Sequence, residues 1–202
     1  MIVVNFKNYK QGKDVLTLAK KINNKCIIAA VPSVNISEVS KQTKLITYAQ
    51  HIDNKASTRG TGYLTASSIK SAGAKGTILN HSEHKIPFND IKEIIKECKK
   101  QKLNVICCAS SLAEVSKLKK LNPFAIAYED PKLIGTKKSV TNQNPLTILK
   151  FVKLLSKTKI FPLCGAGINK KQDIENAIKL GCSGVLISSA VMKSKNPNKL
   201  LK

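Results

Sequence analysis

The sequence predicts an α/β fold in which eight parallel strands and their helices close into a (β/α)8 barrel, one domain over residues 1–202. Three observations carry this. Short apolar runs of strand character alternate from end to end with segments whose apolar residues recur at helical spacing, and that alternation gives a parallel sheet. There are eight such units, the number at which the sheet closes on itself. The first strand also runs into Asn5-Phe6-Lys7 without the glycine-rich turn that an open, doubly wound sheet usually carries there. A chain of 202 residues is long enough for one well-buried core, short for two, and near the lower size limit of such a barrel.

Taken in order, residues 2–6 form the first strand, and 13–22 a helix with Val15, Leu16, Ala19 and Ile22 on one face. Residues 26–31 are the second strand, stopped by Pro32, and 34–42 a short helix. The third strand spans 44–50, the polar and glycine-bearing stretch 53–62 is a loop, and 65–72 is a helix with Thr65 placed to cap it. The fourth strand, 76–79, leads straight into Asn80-His81-Ser82-Glu83, and the helix over 89–100 repeats Ile91, Ile94, Ile95 and Cys98 on one side. The fifth strand is 105–109 and its helix 111–121. Phe124-Ala-Ile-Ala-Tyr-Glu129 is a sixth strand that ends on a carboxylate, under a loop bounded by Pro131 and carrying Gly135. Residues 146–155 are a helix, 160–164 the seventh strand, 172–180 a helix and 184–187 the eighth strand; 199–202 is too short to assign.

The formal charge is +23, which invites a nucleic-acid or membrane-surface reading. Two features argue against it. The 35 basic residues include one arginine, Arg59, so the side chain best suited to bidentate phosphate contacts is nearly absent. The lysines are also spread along helix faces, as at Lys92, Lys96, Lys99 and Lys100, where they read as solvated surface. No stretch reaches the ~18 consecutive apolar residues of a membrane span. The N-terminus lacks a basic leader and a cleavage pattern, so it reads as a first strand. Six cysteines, with no Cys-x-x-Cys pair and several inside apolar runs, fit buried free thiols in a reducing cytoplasm better than disulfides or a zinc site.

In a barrel, the residues that follow each strand converge on one rim. Here they are Asn5 and Lys7, Gln50 and His51, His81, Glu129, the run Cys164-Gly165-Ala166-Gly167, and Ser188-Ser189. Each alone has an ordinary structural explanation; together at one rim they suit proton abstraction beside a carbonyl in a small phosphorylated substrate. A carboxylate takes the proton, while an imidazole and an ammonium stabilise the oxygen where charge builds. Backbone N–H groups after strands seven and eight would hold the phosphate, a close approach that accounts for Gly165 and Gly167.

At this point the chain resembles the triosephosphate isomerase family, in its short archaeal-type form. The likeness runs nearly end to end: Val4-Asn-Phe-Lys7, Ala49-Gln-His51, Leu79-Asn-His-Ser-Glu83, Glu129 followed by Pro131 and Leu133-Ile-Gly-Thr136, Leu163-Cys-Gly-Ala-Gly-Ile168, and Gly184-Val-Leu-Ile-Ser-Ser189. The glutamate base, neutral histidine and closing loop are that family's known mechanism. The resemblance implies that Glu129 shuttles a proton between the first two carbons, that His81 polarises the oxygens, and that Lys7 stabilises the negative charge. The His81 imidazole is expected to be held neutral by the start of a short helix opened by Ser82-Glu83. Asn5 and Phe6 join Lys7 in substrate binding, Gly135, Gly167, Ser188 and Ser189 grip the phosphate, and Ile134 packs over the reacting carbons. Ser82 and Glu83 support Lys7 and His81 from behind. The resemblance implies triose phosphate substrates, no metal or organic cofactor, and a homotetramer, with a homodimer as the alternative. The lysine distribution argues against a nucleic-acid partner and the short apolar runs against a membrane one. The alternative functions are another phosphate-binding (β/α)8 enzyme of biosynthesis, against which Asn5-Phe6-Lys7 and the His81 box count, and a catalytically idle basic barrel that binds nucleic acid. The sequence departs from the family at the lid, with Asp130, Lys132 and Lys137, after the histidine box, with His84-Lys85 where arginine is usual, and at Ala190, where glycine is common.

Overall fold

Strands that are apolar on both faces need cover on both, so they must lie between a filled interior and an outer ring of helices. The computed structural model of the chain describes residues 1–55, 59–136 and 138–201. Residues 56–58 of the loop expected at 53–62, the lid residue Lys137 and Lys202 lie outside them. Eight strands, β1 (Ile2–Asn5), β2 (Ile27–Val31), β3 (Ile46–Ala49), β4 (Gly76–Leu79), β5 (Asn104–Ala109), β6 (Ala125–Glu129), β7 (Phe161–Gly165) and β8 (Gly184–Ile187), pair in sequence order into a closed parallel barrel. β1 closes the ring against β8, with Ile2 opposite Val185. This is the (β/α)8 barrel that the alternation predicted.

The helices between them are α1 (Lys13–Lys21), α2 (Ile36–Gln42), α3 (Ala66–Ser71), α4 (Phe88–Lys100), α5 (Leu112–Leu118), α6 (Val140–Gln143), α7 (Pro145–Leu155) and α8 (Lys171–Lys179). Two short ones follow β8: α9 (Ser189–Met192) and α10 (Asn198–Leu201). Local chemistry sets several boundaries. Thr65 Oγ1 accepts from Ser68 N–H at 3.2 Å while Ser68 Oγ accepts from Thr65 N–H at 3.1 Å, a reciprocal cap on α3. The helix expected at 111–121 tightens into a 3-10 turn at Lys119–Leu121 and stops at Asn122, whose φ of 49° is left-handed. α6 is absent from the sequence reading; its one local signal is Ser139, whose hydroxyl accepts from Thr141 N–H at 3.2 Å.

Period two divides the strand residues between two cores. Val3, Ile28, Ala30, Tyr48, Ile78, Ile106, Cys108, Ala125, Ala127, Leu163 and Leu186 fill the barrel interior. The alternate residues, such as Val4, Ala29, Ile126 and Val185, face the helices in a larger outer core. Each fully buried Leu or Ile contributes about 1.5–3 kcal/mol, so the more populous outer layer carries most of the stability. The inner layer determines which residues reach the rim. Following Ala125 and Ala127, Glu129 falls on the inner side at the C-terminal end of β6. Asn5 stands in the same relation to Val3.

Candidate active site

Asn5, Lys7, His81, Glu129, Ile134, Gly135, Gly167, Ser188 and Ser189 line one cleft at the C-terminal rim. Of the residues expected to bind substrate, Phe6 is the exception. Its side chain is fully buried in the outer core, because the alternation that turns Asn5 inward turns Phe6 toward the helices. Above Glu129 the free volume is about 40 Å³, room for a few waters. On the side of Lys7 and His81 it adjoins a wider cleft of about 530 Å³, which Gln50, His51 and His84 help to line.

Lys7 follows β1 with φ at 46°, a left-handed conformation that costs an L-residue about 1–2 kcal/mol. Its N–H donates to Asn5 Oδ1 at 3.0 Å, and its Nζ donates to Glu83 Oε1 at 2.6 Å. The Glu83 side chain is 57% exposed. Such a pair is worth about 0–1 kcal/mol, so an anionic ligand can displace Glu83 from Lys7 at small cost.

The helix expected from Ser82-Glu83 is instead a single turn, closed by His84 N–H donating to His81 O at 2.8 Å. What defines the state of His81 is the N–H of Glu83, which donates to His81 Nδ1 at 3.1 Å. A ring nitrogen that accepts a hydrogen bond cannot carry a proton, so the imidazole proton sits on Nε2 and the ring is neutral. The Glu83 carboxylate stands farther from Nδ1, at 3.7 Å. Nε2 lies 3.3 Å from Glu129 Oε2, yet neither buried atom completes a hydrogen bond within the described residues. Two unsatisfied polar atoms facing one small void mark the place of a ligand oxygen.

Glu129 is 6% exposed. Burial pushes its carboxyl above the usual 4.5, while the Lys7 ammonium and a hydrogen bond from the Cys108 thiol pull it part of the way back. A carboxylate with little hydration and a raised proton affinity is a stronger base than one in water. Cys108, inward-facing on β5, is itself held well above its usual range by burial and by Glu129, so it stays a thiol and donates. Cys26 is exposed and the other five free cysteines are buried, as their apolar contexts predicted.

The glycines at and just after the end of β7 have roles that a phosphate-approach argument does not foresee. A β-carbon at position 165 would stand 2.8 Å from Glu129 Oε1 and 2.9 Å from Leu186 O, so Gly165 makes room for the carboxylate. Gly165→Ala is expected to displace Glu129, cutting kcat about tenfold or more and destabilising by about 1–3 kcal/mol. Steady-state kinetics alongside thermal melting checks both. At Gly167, φ is 68° and a β-carbon would strike the Lys138 carbonyl oxygen. This glycine lets the end of the lid pass, where Val140 N–H donates to Ala166 O at 3.1 Å. Gly135, at φ 77°, has open space around it and is needed for its backbone alone.

The lid leaves β6 through a 3-10 turn at Pro131–Leu133. Asp130 anchors it, accepting from Lys132 N–H at 3.0 Å and from Asn144 Nδ2 at 2.8 Å. Ile134 is partly buried beside the site. On the far side of the cleft, Ser188 Oγ is buried and makes no hydrogen bond to the described residues, so it is available to a ligand.

Sequence reasoning missed the residue that secures the histidine loop. Glu114 accepts from Asn80 Nδ2 at 2.7 Å, from Lys85 Nζ at 2.7 and 2.9 Å, and from Ser110 N–H at 2.7 Å. Burial opposes its ionisation, but Lys85, Ser110 and Asn80 outweigh that and hold it below its usual range. Asn80 sits at φ 59° directly before His81, and its side chain is bracketed by Glu114, the Cys108 carbonyl and Ile86 N–H. From the sequence Glu114 reads as an ordinary first-turn helix acid. Its N–H does bond the capping Ser111 Oγ at 3.1 Å, and nothing local reports its carboxylate's distant partners. Among the described residues no cluster of three His, Cys, Asp or Glu could hold a metal, and no helix is long and apolar enough to cross a membrane.

Comparison with known proteins places the chain in a family. The family model "Triosephosphate isomerase" matches residues 1–202. The triosephosphate isomerase of Methanocaldococcus jannaschii is 36% identical over 97% of this chain and 94% of its own. Those of Metallosphaera sedula and Saccharolobus solfataricus are 37% and 36% identical, each over 100% of this chain and 92% of its own length.

Proposed function

Because the chain belongs to the triosephosphate isomerase family, we propose that Glu129, His81 and Lys7 carry its aldose–ketose isomerisation. The reaction interconverts dihydroxyacetone phosphate and D-glyceraldehyde 3-phosphate, a step of glycolysis and gluconeogenesis. The Glu129 carboxylate removes a proton from the carbon beside the carbonyl, leaving an enediolate and a neutral carboxyl. The Nε2–H of His81 donates to the enediolate oxygens, and the Lys7 ammonium, released from Glu83, offsets their charge. His81 passes its Nε2 proton to one enediolate oxygen and takes up the hydroxyl proton of the other, while Glu129 returns its proton to the neighbouring carbon, converting ketose to aldose with no net loss or gain of atoms. Asn5 orients the substrate, Gly135, Gly167, Ser188 and Ser189 take the phosphate, and Ile134 excludes water when the lid is down. The steps call on no metal or organic cofactor.

The observation that supports this reading most is the facing pair of unsatisfied buried atoms, His81 Nε2 and Glu129 Oε2, 3.3 Å apart beside Lys7. A dehydrogenase-coupled assay of the purified protein tests it, with competitive inhibition by a phosphoglycolate-type enediolate analogue expected. Turnover no faster than background would overturn it, and salt-dependent retention on nucleic acid without turnover would favour a basic binding protein.

Residues 1–202 are taken as one catalytic barrel, working in the cytoplasm as a homotetramer, with a homodimer as the alternative. The open cleft beside Lys7, His81 and Glu83 is in keeping with cover from a neighbouring subunit. Light scattering should return four times the chain mass of 22.0 kDa; a monomer would remove the proposal.

A further inference from the structure

Lys7 keeps a left-handed backbone although its side chain gives it no local reason to. Strain of this kind persists only where surrounding groups over-determine it. On the N-terminal side the cause is Asn5, whose Oδ1 accepts the Lys7 N–H at 3.0 Å. On the C-terminal side it is Gln50, whose Nε2 donates to Lys7 O at 3.1 Å and to Ala30 O at 3.2 Å. Both partners of the amide nitrogen are carbonyl oxygens, which settles which end of the carboxamide faces them.

The barrel register brings Gln50 there. Tyr48 on β3 is an inner-layer residue opposite Ala30 of β2, and Gln50 stands two positions beyond Tyr48, on the same face. Ala30 in turn is opposite Asn5 of β1, and its carbonyl also accepts Phe6 N–H at 2.9 Å. One carboxamide thus ties the ends of three adjacent strands to the peptide that follows Lys7. The sheet ladder between β2 and β3 has already ended at Val31 and Ala49, so Gln50 adds no rung to it.

We infer that Gln50 is a positioning residue of the isomerase reaction: by holding the carbonyl of Lys7 against that of Ala30, it keeps the lysine backbone left-handed and its ammonium over the reacting carbons. The inference rests on the catalytic role proposed for Lys7. Without the amide, Lys7 relaxes toward ordinary φ, and Glu83, more than half exposed and 2.6 Å from Nζ, carries the ammonium outward. Misplacing a charge by about 1 Å costs up to about 100-fold in rate.

The test is a double-mutant cycle on the full-length protein with Gln50→Met, which keeps an unbranched chain of similar length but has no donor. Gln50→Asn runs in parallel, too short to span both carbonyls. Each is expected to lower kcat/KM about 10- to 100-fold, with Tm within a few degrees of the parent. In the Lys7→Ala background the same substitutions should lower kcat/KM less than about threefold, because the group they position is gone. Should Gln50→Met fold poorly, Gln50→Asn decides. A full, additive loss in the Lys7→Ala background would overturn the inference, showing that Gln50 acts on substrate or on the fold. Wild-type rates in both single variants would also overturn it. If Lys7→Ala itself remains active, the role of Lys7 has failed and not that of Gln50 alone.

Discussion

Glu129→Asp is expected to lower kcat by about 10²- to 10⁴-fold with little change in KM. Shortening the side chain by one methylene withdraws the carboxylate about 1.5 Å from the substrate carbon. The backbone cannot follow, because Glu129 is opposite Gly165 in the β6–β7 register and Leu186 O closes the space beyond. Glu129→Gln keeps the shape and removes the base, so its rate should fall at least as far. Its stability should move the other way. Burial raises the folded-state carboxyl above 4.5, so folding favours the protonated form. That contribution is fully present below the unfolded value and is lost as pH rises through the folded one. At pH 8 the wild-type protein holds a buried charge that Glu129→Gln lacks, and the variant should melt higher. At pH 4 the gap should close. The acid limb of kcat/KM should fall above pH 4.5 for the same reason. A melting difference that is identical at pH 4 and pH 8 would dismiss the desolvation account while leaving the kinetic prediction standing.

Lys7→Ala is expected to cost about 10²- to 10³-fold in kcat, the range for removing one preorganised stabiliser of transition-state charge. The effect on folding should be small. The ion pair with a largely exposed Glu83 is worth about 0–1 kcal/mol. Lys7→Gly separates the two properties further. Glycine adopts φ near 46° without a β-carbon penalty, so this variant should be as inactive as the alanine one while recovering about 1 kcal/mol or more of backbone strain. Coupled-assay kinetics and thermal melting on the two variants together decide the matter. Activity within tenfold of wild type in either would remove Lys7 from the chemistry.

Much of the fold is legible because its signals are local. The four apolar positions of α4 recur at helical spacing and are all buried, and the Thr65 cap needs a serine three residues away. Period two along Ala125, Ala127 and Glu129 carries the base to the rim, and the same rule, applied to Asn5 and Phe6, turns Phe6 away from it. The motif Val4-Asn-Phe-Lys7 sets Phe6 among substrate-binding neighbours, yet strand alternation turns its side chain into the outer core. α6 is not legible in the sequence, because four residues held by one serine cap leave no periodic trace.

By itself, the sequence determined the eight-unit barrel and the kinds of side chain its strand ends deliver, since both follow from spacings of two and three to four residues along the chain. Tertiary structure alone decided the state of those side chains. The neutral ring of His81 depends on the direction of one N–H at Glu83, the raised carboxyl of Glu129 on enclosure by β5, β7 and β8, and the bent backbone of Lys7 on an amide 43 residues away. Each depends on distances between elements remote in sequence, and periodicity along the chain carries no measure of those distances.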